Sequence, residues 1–222
     1  MSDSPILFSA EMVRAILDGR KTQTRRVMKV QPWPDATVEV GPYHPHWIDR
    51  NGESQPGPST FGAVWDHQDI VNGGDTGLRC PYGAPGDLLW VREGFAVQPE
   101  LWADNHGPQP IHYTADQVIG FAGKPDQRQI EDYRSKPSIH MPRWASRITL
   151  RITDIRVERL QDITEDDARA EGCDPARWID ETDVGMEGYR EGFARLWNKI
   201  NGPGAWDANP WIWAVSFERV TP

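Results

Sequence analysis

The chain has 222 residues, with 24 Lys/Arg against 33 Asp/Glu, a formal net charge of -9 and a mean hydropathy of -0.64. That length allows one large domain or two small ones, and so acidic a balance argues against gripping a long duplex by its phosphates. No apolar run approaches the ~20 residues that span a bilayer, the N-terminus lacks the apolar core of a signal peptide, and two cysteines, Cys80 and Cys173, make no disulfide framework. A cytoplasmic protein with no membrane partner is expected. Eleven tryptophans offset the low hydrophobic content of 38%, because each buries a large area.

In chain order, Ser9 is placed as an N-cap, and Met12, Val13, Ile16 and Leu17 recur at helical spacing. Gly19 then ends the helix in a left-handed conformation. Out of that turn comes Gly19-Arg20-Lys21-Thr22-Gln23-Thr24-Arg25-Arg26-Val27, and residues 19–29 hold five Lys/Arg and no acid. If this segment is extended, 22, 24 and 26 share one face and 21, 23 and 25 the other. Hydroxyls set between cations suit an anionic or carbonyl-rich ligand, with Arg as a planar donor fork and Lys as a point charge that burial can discharge. The plain alternative is a solvated basic turn.

Residues 31–85 are rich in Pro, Gly, Asp and Trp, with short strands expected at 38–40 and 63–65. His44, His46, His67 and Cys80 match no tight metal-ligand spacing, so no metal is assigned. Leu88 to Arg92 reads as a strand buried on both faces, with Arg92 and Glu93 at its end as a salt bridge or a ligand contact. A second irregular stretch covers 97–135, apart from a strand at 111–113. Lys136 to Pro142 reads as an ordered loop. His140, Arg143 and Trp144 offer groups that stack on a planar base and bind its edge; the alternative for His140 is simple exposure. Residues 134–159 carry seven Lys/Arg and two acids.

Ser146 to Leu160 alternates as a strand, but its phase slips after Ile152, which predicts a β-bulge near Thr153-Asp154. Thr164 is an N-cap with Asp167 in a capping-box position, and Ile163 and Ala168 form a staple. Gly172 ends this short helix. Glu171, at the unfavourable end of its dipole, calls for a nearby cation, and Lys21 is the candidate. A third helix is expected from about Met186 to Ile200, with Tyr189, Phe193, Leu196, Trp197 and Ile200 as its apolar stripe. The last strand runs from Trp211 to Val220, with Trp211, Trp213, Val215 and Phe217 on one face.

The opening Gly-Arg-Lys-Thr-x-Thr-x-Arg resembles the signature of the ASCH family, within the PUA-like superfold of small β-barrels. Pro85-Gly86-Asp87-Leu88-Leu89-Trp90-Val91-Arg92-Glu93 extends the resemblance, as do the stretch Pro137 to Arg147, the stretch Ile163 to Gly172 and the closing Asn209-Pro210-Trp211-Ile212-Trp213. These segments together resemble the larger ASCH-like proteins of bacteriophages and prophages. The resemblance implies an α+β fold: one domain over 1–222, a PUA-like mixed or antiparallel β-barrel with about three helices. It implies long irregular insertions at about 31–85 and 97–135, the first draped over one end of the barrel.

In the small ASCH enzymes that this chain resembles, a Lys, a Thr and a Glu cleave the acetyl amide of acetylcytidine. By motif these are Lys21, Thr24 and Glu171. A hydroxyl attacks an amide carbonyl when a base removes its proton, and a buried Lys with a lowered pKa serves as that base. Glu171 would orient the pair or protonate the leaving amine, and Arg26 would help hold the oxyanion. No metal or cofactor is required. Other ASCH-like proteins bind RNA or modified bases without turnover. The resemblance therefore implies first a binder of RNA, single-stranded nucleic acid or a modified nucleoside. The alternatives are an acylated-cytidine amidohydrolase and a phage-specific structural or interaction role. Arg20, Arg26, Trp90, Arg92, Glu93, His140 and Arg143 are the candidate ligand contacts. Lys21, Thr24, Arg26, His140, Arg143 and Glu171 are expected to line one cleft.

Overall fold

The Ser9 side chain caps the first helix by accepting from the backbone N–H of Met12 at 3.4 Å, and Val13, Ala15 and Ile16 face inward at helical spacing. This helix, α1 (Ala10–Leu17), opens a computed structural model that describes residues 2–65, 77–97, 111–116, 134–175, 177–179, 184–186 and 188–220. Before α1 lies strand β1 (Asp3–Leu7), and after it β2 (Gln23–Val27). Then come β3 (Val38–Tyr43), β4 (His46–Ile48), β5 (Ser54–Pro56), β6 (Thr60–Trp65), β7 (Leu78–Arg79), β8 (Leu88–Arg92) and β9 (Phe95–Val97). Strands β10 (Ile111–Tyr113), β11 (Arg134–Lys136) and β12 (Thr149–Arg159) lead to helix α2 (Glu165–Ala170). The chain closes with β13 (Arg177–Ile179), β14 (Val184–Met186), helix α3 (Tyr189–Asn201) and β15 (Trp211–Val220).

The principal sheet has five strands in the order β1-β8-β12-β15-β2. Only the β1–β8 pair is parallel, and every other pair in it is antiparallel. The register of β12 on β15 shifts between Ile152 and Asp154, at the place where the apolar phase of the sequence slips. Trp211, Trp213, Val215 and Phe217 join one core with Ile6, Phe8, Val13, Ile16, Leu89 and Ile152. Ile212 and Ala214 enter a second core with Ala168, Phe193 and Trp197 of α2 and α3. β15 is thus buried on both faces, because helices cover the side that the main core does not.

The architecture is α+β, with helices and sheets packed together. Among the described residues no ladder joins the edge strands β1 and β2, so the sheet is open and not a hydrogen-bonded closed barrel. One side chain crosses between these edges: Arg26 Nη2 donates to the Leu7 carbonyl at 2.7 Å. No described helix is long and apolar enough to cross a membrane.

The first insertion does form short hairpins, with β3, β6 and β7 in one sheet and β4 and β5 in another. Far from merely draping one end, it sends Ala63, Trp65 and Cys80 into the main core. Two further expectations are corrected. Met186 belongs to β14, and α3 begins only at Tyr189 after the extended Gly188. Ile200, counted in the apolar stripe, is exposed, because the last turn of α3 runs past the sheet it covers. His67, one of the four residues in the metal pattern, lies outside the described residues.

Candidate functional site

Three elements meet where α1 hands the chain to β2. The N–H groups of Arg20 and Lys21 both donate to the Ala15 carbonyl, at 2.8 and 3.0 Å. Thr22 N donates to the Ala170 carbonyl at 2.8 Å, and Phe217 N to the Thr22 carbonyl at 2.8 Å. The ends of α1 and α2 and the edge of β15 therefore clamp Lys21, which forms an antiparallel bridge with Glu171. Gly172 makes this approach possible. Its φ is +75°, and a Cβ there would stand 2.8 Å from the Cβ atoms of both Ala15 and Lys21.

Lys21 Nζ donates to Glu171 Oε2 at 2.7 Å and to the Glu171 carbonyl at 2.8 Å. The cation that the C-terminal end of α2 required is thus supplied, and one orphan carbonyl is satisfied with it. Both residues are buried. Burial holds the Lys21 ammonium below its ordinary pKa, against the opposing pull of Glu171; Arg26 adds to the lowering.

The residue that sequence reasoning missed is Arg25. Its side chain is 0% exposed and gathers three carboxylates: Glu158 at 2.6 Å, Asp167 at 3.3 Å and Glu171 at 3.3 Å. It also donates to Gln23 Oε1 at 2.6 Å, while Gln23 Nε2 donates to Ser216 Oγ at 3.1 Å. The expected alternation is visible here, since 21, 23 and 25 share one network. That period-two alternation is the sequence signal for Arg25, which lies between the signature residues Thr24 and Arg26. Burial acts to raise the Asp167 carboxyl, yet Arg25, the Thr164 hydrogen bond and Arg156 outweigh it and leave the pKa below its ordinary value.

Beside this network lies a cavity of about 250 Å³. Phe8, Met12, Phe193 and Trp197 contribute apolar walls, and Lys21, Thr24, Arg25, Arg26 and Glu171 polar ones. Thr24 is buried, and among the described residues its hydroxyl makes no hydrogen bond. Arg26 lies over the Phe8 ring, 5.4 Å from its centroid, and Lys21 Nζ sits 5.5 Å from the same ring. Among the described residues Arg26 has no carboxylate partner.

Comparison with family models, curated proteins and solved structures gives no match in any of the three. The site's meaning rests on its own geometry.

That geometry unites four of the six residues expected in one cleft: Lys21, Thr24, Arg26 and Glu171. His140 and Arg143 do not line the cavity. His140 is exposed on a 3₁₀ turn, Ser138–His140. Arg143 pairs with Asp3 at 2.7 Å and donates to Thr149 Oγ1 at 3.2 Å. The two basic segments do converge, but through the far end of the second: Arg156 reaches Asp167 at 3.2 Å, beside Arg25. The reason is the length of β12, which carries residues 156–158 to α2 and leaves 140–147 at its opposite end.

Glu93 is the salt bridge rather than a cavity residue, held by Arg147 at 2.9 and 3.1 Å. Burial nevertheless raises its pKa, with Arg147 opposing. Trp90 is buried under two guanidinium groups, Arg92 at 4.6 Å and Arg143 at 5.9 Å from its centroid. Arg20 faces outward, pairing with Asp18 at 3.1 Å.

Proposed function

We propose that this chain is an ASCH-type protein, built on a PUA-like half-open barrel, that binds one modified nucleobase or nucleoside in the cavity between β2 and α3. The single observation that carries this is the mixed lining of the cavity. Aromatic and aliphatic side chains line it together with the buried Lys21, Thr24 and Glu171 and the half-buried Arg26. A planar heterocycle needs both: a flat apolar contact for its faces and fixed donors and acceptors for its edge. A duplex does not enter a cavity of about 250 Å³.

The experiment is a panel of modified nucleosides incubated with the protein and followed by mass spectrometry, scored for retention and for loss of mass. Retention of a modified cytidine that Arg26→Ala abolishes is the expected result. Failure to retain any nucleoside would remove this assignment.

A second reading, amide hydrolysis of an acylated cytidine, is favoured by Thr24, a buried residue that lines the cavity together with Lys21 and Glu171. The lowered pKa of Lys21 fits the same chemistry. In that reaction Thr24 Oγ attacks the acyl carbonyl while the Lys21 amine takes its proton. The C–N bond then breaks, the proton passes to the departing amine, and water frees the acyl group from Thr24. Loss of acyl mass from the nucleoside, abolished in Thr24→Val, separates turnover from binding.

A further inference from the structure

The Glu171 carboxylate is gripped at both oxygens. Lys21 Nζ donates to Oε2 at 2.7 Å and Arg25 Nη1 to Oε1 at 3.3 Å. Held by two cations, the carboxylate does not swing freely away from either. Lys21 uses two of its three N–H groups on Glu171, one on the carboxylate and one on the carbonyl. The third is left for the cavity that Lys21 lines. How firmly Lys21 keeps its proton therefore depends on how much of the Glu171 charge it has to itself.

Arg25 is the competitor for that charge. Its Nε and Nη2 donate to Glu158 Oε1 at 3.1 and 2.6 Å, and Nη1 donates to Gln23 Oε1 at 2.6 Å. Nη2 also stands 3.3 Å from Asp167 Oδ2. All three nitrogens are committed and the side chain is enclosed, so Arg25 acts on a ligand through Glu171 and not by touching it. On its far side Arg156 lies 3.2 Å from Asp167, 3.9 Å from Glu158 and 3.8 Å from the exposed Asp154. From α3 the Phe193 ring faces the guanidinium at 6.0 Å. Around Lys21 the other charged or titratable groups are Cys173 and Arg26. Burial pushes the Cys173 thiol up to about 12, so it stays neutral beside the Lys21–Glu171 pair.

We infer that Arg25 is a positioning residue of the cavity: divided between Glu171 on one side and Glu158 with Asp167 on the other, it fixes the Glu171 carboxylate against Lys21 and decides the charge that Lys21 presents to a ligand. This rests on the cavity reading above and adds a control on that same site. Without Arg25, Glu171 belongs to Lys21 alone; the ion pair tightens and the proton stays on Lys21. Without the Glu158 charge, more of the guanidinium's charge falls on Glu171; the pair loosens and Lys21 gives up its proton sooner. The two changes move Lys21 in opposite directions. A cation that merely tied β2 to β12 and α2 would give no such opposition.

The test follows isotope-labelled lysine by NMR across pH in the ligand-free protein; the chain has five lysines, and Lys21→Arg identifies the signal. Arg25→Gln is expected to raise the Lys21 titration midpoint by about one pH unit, and Glu158→Gln to lower it. If Arg25→Gln does not fold, Glu158→Gln decides alone, since Glu158 is partly exposed and does not line the cavity. A Lys21 midpoint that Glu158→Gln leaves in place or raises, or that Arg25→Gln leaves in place or lowers, would overturn the inference. Calorimetry with acetylcytidine on the same proteins separates this from the cavity reading. Binding or acetate release whose pH dependence follows the Lys21 midpoint supports both. Binding with an unmoved midpoint removes the role of Arg25 and leaves the cavity reading standing. Opposite shifts of the midpoint without any acetylcytidine binding retain the control by Arg25 and remove the nucleobase. Neither shift nor binding would remove the two together.

Discussion

Residues 19–29 and 134–159 carry the same net positive charge in the sequence, yet the fold uses them in opposite ways. In the first, Lys21 and Arg25 are taken inside and matched by Glu158, Asp167 and Glu171. In the second, Arg143 and Arg151 pair with Asp3 and Glu218 while roughly half exposed. Charge counted along a chain therefore says little about where a field will act. What separates the two segments is enclosure: Arg25, fully buried, meets three carboxylates, whereas Arg147, about a quarter exposed, meets the buried Glu93 and the exposed Asp116. The acidic stretch that follows β12 turns back onto β2 through α2, and among the described residues nothing comparable covers the turns at 138–145.

The sharpest way to break this contrast is to remove the buried hub. Arg25→Met should destabilise the protein by about 3–5 kcal/mol, because it leaves the buried Glu171 and the partly buried Glu158 and Asp167 without the buried cation they share; chemical denaturation reads this directly. Arg147→Met should cost less, about 1–3 kcal/mol. It strands the buried Glu93, but Asp116, the other carboxylate it serves, is already exposed. A loss as large as that of Arg25→Met would mean that the second segment is as deeply committed as the first.

Acid pH sharpens the comparison further. Asp167 sits below its ordinary value of 3.8 when folded. Its contribution is therefore present above that value and is lost as pH falls through the lower, folded pKa. The wild type should lose stability on this acid limb, and Asp167→Asn, though less stable at neutral pH, should show a shallower one. Denaturation midpoints measured across that range check the sign. The smallest effect is expected at the surface: Arg143→Ala should change stability by less than about 1 kcal/mol, measured in the same way.

Much of this arrangement was legible before any coordinates. The phase slip after Ile152 is a direct record of the bulge, because a strand's side chains alternate with period two and an extra residue must invert them. Thr164 with Asp167 announced the start of α2, and Gly172 its end. The Lys21–Glu171 contact followed from a local imbalance: a carboxylate at a helix C-terminus needs a cation. Arg25 was harder, since its role depends on carboxylates over 130 residues away that no local pattern assigns to it. The separation of His140 and Arg143 from the cavity was hidden for a similar reason. It is fixed by which end of an 11-residue strand meets α2, a matter of sheet order rather than of composition.

The central claim is that the space beside Lys21 and Glu171 takes one modified nucleobase. Calorimetric titration with acetylcytidine, using wild type and Thr24→Val and Arg26→Ala variants, tests it most directly. Saturable one-to-one binding or turnover by the wild type is expected, with Arg26→Ala weakening binding at least about tenfold and Thr24→Val abolishing any acetate release. No heat of binding and no acetate from the wild type, or binding that both substitutions leave intact, would contradict it.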